Sequence, residues 1–230
     1  MSFALVPTRA LFAFRIGVRK FAVPPRIDGE LADWTPAHRL PDLSPLDGDR
    51  PNCEVSAGWH ETGLYLAASI SNKRLPPACD HERFWTGDGF RVWVDTRDNH
   101  TAHRANRFCS QFYFLPDTFT GARVPVPGSK ETAAESTEGV NVAGKRRIDG
   151  WQMEMRIAAE AMNGFDPAEH PRLGFYWYLR DRERGDRWLT LGGSFPFWMD
   201  PSIWASVELL PGEPPAEVKT KSPRGKRTAK

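Results

Sequence analysis

Apolar side chains in this chain return at every second position through a series of short runs, and clusters of Gly, Pro, Asp and Asn separate the runs. A period of two puts successive side chains on opposite faces of a strand, so that one face of each run can enter a core. The clearest run is residues 90–95, where Phe90, Val92 and Val94 alternate with Arg91, Trp93 and Asp95. Residues 54–60 and 64–71 flank the turn residues Glu61, Thr62 and Gly63 as a hairpin, with Val55, Ala57 and Trp59 sharing a face with Leu64, Leu66 and Ala68. Further strands are expected over 108–115, 151–157, 173–179, 187–192 and 204–210, and shorter ones around 123–126 and 138–143. Short helical turns are expected at 32–37 and 158–163, the second ended by Gly164. Many evenly spaced strands without a long helix specify an all-β protein, an antiparallel β-sandwich of jelly-roll type with one or two short helical turns.

A chain of 230 residues is long enough for one substantial domain of this class. Residues 23–210 carry the strand pattern. Residues 1–22 read as a leading strand or a loosely held N-terminal arm, and residues 211–230 as a disordered basic tail. That tail holds six Lys or Arg against Glu213 and Glu217, so it carries +4 of a chain whose net charge is only +2. The remainder is slightly acidic, which excludes a nucleic-acid footprint on the fold. Cys53, Cys79 and Cys109 are widely spaced and show no CxxC pattern. No apolar stretch is long enough to span a membrane, and Arg9, Arg15, Arg19 and Lys20 interrupt the first 21 residues, so no signal sequence is apparent. As written, the chain reads as cytoplasmic.

Chemistry-bearing residues concentrate between Phe84 and Cys109. Trp85 stands before Thr86, Gly87, Asp88 and Gly89, a turn-forming group at a sheet rim. After the strand come Asp95, Asp98, His100 and His103. Asp95 and Asp98 are candidate ligands for a structural calcium ion, since hard oxygen donors suit it. Asp95 reads otherwise as the cap of the strand end. His100 and His103, with Cys109 beyond them, form a weaker transition-metal pattern. Near the C-terminus a proline-bounded loop, 194–202, displays Phe197, Trp198 and Met199. No carboxylate pair, GxSxG or phosphate-binding glycine loop marks a catalytic centre, and no cofactor is required.

Five segments in order carry a resemblance. They are Arg26-Ile-Asp-Gly29 with Trp34 downstream, the hairpin VSAGWHETGLYLAAS at 55–69, WTGDGFRVWVD at 85–95, GWQMEMRI at 150–157, and WMDPSIWASVEL at 198–209. Together they resemble family 9 carbohydrate-binding modules and their wider DOMON-like relatives, over roughly residues 23 to 210. The resemblance implies a β-sandwich that binds oligo- or polysaccharide without catalysing a reaction, beside a glycoside hydrolase activity carried elsewhere in a secreted enzyme. It also implies a pair of Trp rings enclosing a sugar, for which Trp85 and Trp198 are the matching positions. Indole faces cover the C–H faces of a pyranose while polar side chains meet its hydroxyls, and Gln111, Arg91 and Asp88 are the nearest polar candidates. Arg91 stands where binding members carry a carboxylate, replacing an acceptor by a permanently charged donor. Some sandwiches of the DOMON-like kind bind haem, which here would need Met199 with His100 or His103, because Met153 and Met155 share a strand face that reads as core. A third reading is a structural or protein-interaction sandwich whose Trp85 is buried.

Overall fold

The structure, a computed structural model, describes residues 8–48, 52–130 and 134–212. Among these, eleven strands form the protein, and no α-helix occurs. They are β1 (Arg15–Lys20), β2 (Cys53–His60), β3 (Gly63–Ile70), β4 (Gly89–Asp95), β5 (Cys109–Leu115), β6 (Thr120–Val124), β7 (Val140–Arg147), β8 (Gly150–Ala158), β9 (Arg172–Arg180), β10 (Arg187–Trp188) and β11 (Ala205–Leu210). Ten of them follow the order β6-β5-β4-β9-β11-β1-β2-β3-β8-β7, with β10 added to β9. The continuous sheet folds over on itself like a nearly closed barrel, so that its two halves face each other as a sandwich.

The alternation read from the sequence sets this packing. Val55, Ala57 and Trp59 of β2, Leu64, Leu66 and Ala68 of β3, and Trp151, Met153, Met155 and Ile157 of β8 meet Phe90, Val92 and Val94 of β4, Phe112 and Phe114 of β5, and Phe175, Trp177 and Leu179 of β9 in one core. Met153 and Met155 are fully buried there, packed against apolar neighbours and unavailable to a haem.

Three features depart from the expected plan. The pairings are antiparallel except those of β1, which lies parallel to both β11 and β2. Its Ile16 and Val18 reach the core, so the strand alternative for the N-terminal segment holds, and the strand occupies the middle of the sheet. The helical content takes the form of six 3-10 turns among the described residues, more than the one or two expected. Leu31–Asp33 and Pro36–His38 occupy the predicted 32–37 turn, and Ala159–Ala161 lies within 158–163. The run predicted over 187–192 is a strand only at Arg187–Trp188. Of the basic tail, residues 213–230 lie outside the described residues.

The motif Arg26-Ile-Asp-Gly29 with Trp34 has a structural purpose. Glu154, on the outer face of β8 and fully buried, accepts hydrogen bonds from the backbone N–H of Asp28 at 3.1 Å and Gly29 at 2.8 Å and from Trp34 Nε1 at 2.8 Å. One carboxylate thereby fastens the segment before β2 to the sheet.

Candidate functional site

The outer face of the β5-β4-β9 half holds the site, and strand register determines what lies on it. Arg91 is opposite Tyr113 on one side and Tyr178 on the other, and Tyr178 is opposite Trp188. One step along, Trp93 is opposite Gln111 and Tyr176. Two cross-strand rows thus tile the floor with aromatics around one arginine and one amide. Trp93, Tyr176 and Tyr178 are buried, and with Phe197, Trp204, Cys109, Ala105 and Val126 they form a second apolar cluster on this face.

Two loops raise walls over this floor by the same device, an inner aromatic on a floor tyrosine with a tryptophan projecting beside it. On one side, Phe84 stacks on Tyr113 with centroids 4.3 Å apart, and Trp85 meets Phe84 edge-on at 5.1 Å. On the other, Phe197 stacks on Tyr176 at 4.8 Å, and Trp198 meets Phe197 edge-on at 5.4 Å. Phe197 is 4 % exposed, whereas Trp85 and Trp198 are 48 % and 40 % exposed. Of the aromatic residues in these loops, the two expected stacking residues are therefore the ones turned outward. The space they border is a cleft of about 900 Å³, lined also by Arg91, Gln111, Glu135, Tyr178, Asp186 and Trp188.

Polar groups fix both walls. In the first loop Asp80 accepts from the backbone N–H of Glu82 and Arg83 and from Thr86 Oγ1, and the Arg180 guanidinium donates to the Trp85 carbonyl. Gly87 is needed by close approach: a Cβ there would lie 2.6 Å from Asp80 N and 2.7 Å from Ala78 O. Asp88 is not a contact at the cleft rim, as the sequence reading had it. It is 1 % exposed, and its oxygens are taken by Lys73 Nζ and by the backbone N–H of Ala78 and Arg182. Lys73 also pairs with buried Asp181 at 2.7 Å. Burial pulls the Lys73 ammonium down, but Asp181 and Asp88 outweigh it and hold it above its ordinary value. Around the second wall, Trp204 Nε1 donates to the Phe197 carbonyl at 2.7 Å.

The floor supplies the hydrogen-bonding chemistry. Tyr113 and Tyr178 donate their hydroxyls to Glu135 and Asp186, and burial followed by those carboxylates pushes both phenols up. Gln111 is 3 % exposed, yet its Oε1 has no hydrogen-bond partner. The Arg91 guanidinium lies 4.4 Å over the Tyr178 ring and 5.8 Å from that of Trp93. Burial lowers its proton affinity.

Asp95 and Asp98 take no part in the cleft. Asp95 caps the end of β4, accepting from Arg97 N and Asn99 N. Asp98 holds Ser206 Oγ at 2.6 Å and His100 Nε2 at 2.9 Å, with Arg172 Nε 4.0 Å away. Calcium requires about six to eight oxygen ligands, and these carboxylates are spent on donors instead. Among the described residues no group of three or more His, Cys, Asp or Glu is placed to hold a metal ion, so this pair does not fit calcium. His100 engages both ring nitrogens, with Asp98 and the Ser202 carbonyl, and His103 faces Asp200 and Ser202. Neither is presented to a haem.

Phe84, Tyr113, Tyr178, Asp186, Trp188, Phe197 and Glu135 were absent from the expected set. The tyrosines were legible in principle, because Tyr176 and Tyr178 occupy the outward phase of a strand whose Phe175, Trp177 and Leu179 face the core. Glu135 lies in a stretch without periodicity.

Among solved structures, the chain is similar to a family 9 carbohydrate-binding module from Caldicellulosiruptor kristjanssonii. For its complex with cellotriose the TM-score is 0.62 at 18 % identity, covering 91 % of this chain and 100 % of that one. For its complex with glucose the TM-score is 0.61 at 19 % identity, covering 88 % and 98 %. A putative carbohydrate-binding protein from Bacteroides uniformis is also similar, with a TM-score of 0.54 at 14 % identity over 85 % and 98 %. At these identities the likeness shows the fold. No curated protein matches in sequence. Residues 27–211 match the family described as carbohydrate family 9 binding domain-like, and the chain belongs to that family.

Proposed function

We propose that the protein is a non-catalytic carbohydrate-binding module whose cleft takes a sugar ring of an oligo- or polysaccharide between Trp85 and Trp198. One observation carries the reading: two half-exposed indoles border the same cleft over a floor in which the buried Gln111 Oε1 lacks a partner. Indole faces suit the C–H faces of a pyranose, and an unpaired buried acceptor gains a full hydrogen bond when a sugar hydroxyl reaches it. Arg91 supplies donors to the sugar's oxygens from the centre of the floor. The alternative of a structural sandwich with a buried Trp85 loses its premise, since that ring is half exposed. Such a module would serve polysaccharide breakdown by an enzyme carried elsewhere and would act outside the cell.

Cellotriose and glucose, the ligands of the similar module, are the first to try, followed by xylo-oligosaccharides. Tryptophan fluorescence should change saturably on titration. Trp85→Ala should weaken binding roughly ten- to a hundredfold, from the loss of about 1.5–3 kcal/mol of ring burial. Its urea midpoint should stay near that of the parent, because the ring is half in solvent already. A folded protein that answers to no saccharide, neutral or acidic, would overturn the reading.

A further inference from the structure

Resting on that reading, we infer that the sugar bound in the cleft is acidic, with its carboxylate held by Arg91. Three observations lead there. Arg91 sits mid-floor between Tyr113 and Tyr178, under walls of Phe84, Trp85, Phe197 and Trp198, where water is partly excluded. No carboxylate among the described residues forms an ion pair with it: Asp186 and the Tyr178 hydroxyl favour its charge but do not offset its burial, and its close neighbours are the rings of Tyr178 and Trp93. Stacking on a ring uses the face of a guanidinium and leaves its in-plane N–H fork for another acceptor. A desolvated charge is costly until it is paired, and the lowered proton affinity of Arg91 has that desolvation as its first cause.

Glu135 and Asp186 also line the cleft, and their negative charge shapes where an anion can sit. Each receives a tyrosine hydroxyl, which anchors it at the side of the floor on the far edge of a phenol. A carboxylate on the ligand is therefore accepted at the centre, over Arg91, and repelled at the sides. Gln111, diagonal to Arg91 across the β4–β5 ladder, offers Oε1 to a neighbouring hydroxyl of the same sugar. Charge at one carbon and a hydroxyl nearby is the pattern of a hexuronic acid, whose C5 carboxylate projects from the ring edge while both ring faces remain free for the indoles. Bidentate carboxylate binding by arginine is among the stronger hydrogen-bonded pairings.

The test is calorimetric titration of the full chain with three ligands of one size: a disaccharide ending in glucuronic acid, its methyl ester, and cellobiose. The ester keeps the shape and removes the charge. The acid should bind at least about tenfold tighter than the ester, the advantage should shrink at high salt, and Arg91→Gln should bring the acid-to-ester affinity ratio to about one. Folding of the variant is checked by its near-ultraviolet circular dichroism. Equal affinity for acid and ester, or an acid preference that survives Arg91→Gln, would overturn the inference while leaving saccharide binding intact. Binding of none of the three by the folded protein would overturn both.

Discussion

Gln111 is a costly residue for its position in β5. Its neighbours on the same strand, Phe112 and Phe114, fill the core, and its own face is packed with aromatics, yet it brings a buried carbonyl oxygen without a partner. A buried acceptor of this kind costs about 1–3 kcal/mol of desolvation, which is repaid only when a ligand donates to it. Gln111→Met keeps the length and removes the polar atoms, so it should raise the urea midpoint, by up to about 1 kcal/mol in stability, while weakening saccharide binding. A variant that loses both stability and affinity would mean that the amide supports the fold. The sequence singled out Gln111, Arg91, Trp85 and Trp198, and the structure brings all four to one cleft. Asp88 it could not place, because the groups that consume its oxygens, Lys73 and the backbone of Arg182, lie 15 and 94 residues away in sequence.

At the level of elements, the wall that carries Trp85 is held by charge. Lys73 leads the connection from β3 to β4, and its ammonium joins Asp88, just before β4, to Asp181, just after β9. All three are buried. Glu183 adds a second tie, accepting from the backbone N–H of Arg74 and Leu75. Lys73→Met would leave two carboxylates facing each other without a counter-ion, and breaking a buried pair in this way costs about 3–5 kcal/mol. The loss should appear in the urea midpoint at neutral pH. Because its folded pKa is raised, Lys73 contributes stability in full below the unfolded lysine value of about 10.4, and the contribution goes as pH rises through the folded value. Tyr113 and Tyr178, also raised, act in the same direction. The parent midpoint should therefore hold to about pH 9 and fall beyond about pH 10. A Lys73→Met protein as stable as the parent at pH 7 would show that these ion pairs do not support the loop.

At the scale of the whole molecule, most strands were legible because each presents an uninterrupted alternation to a common core, and local pattern suffices for that. The place of β1 was not. Only Ile16 and Val18 mark its inward face, and its insertion between β11 and β2 joins residues 15–19 to residues 206–210 and residues 19–20 to residues 58–59, a long-range pairing that no local pattern encodes. The walls of the cleft were half legible: the exposed tryptophans stand in turn-rich loops, but the inner aromatics that seat them become visible only once register places Tyr113, Tyr176 and Tyr178 beneath. Trp85 and Trp198 reach one cleft because the loop before β4 and the loop after β10 meet on the same outer face. The most direct test of that arrangement as a sugar site is to follow the nine tryptophan indole N–H signals by nuclear magnetic resonance as cellotriose and the glucuronic-acid disaccharide are added in turn. The signals of Trp85 and Trp198, assigned by single substitution, should move together along one saturation curve while that of the core residue Trp151 stays still. Movement confined to other tryptophans, or none with either sugar, would contradict a saccharide site between these two rings.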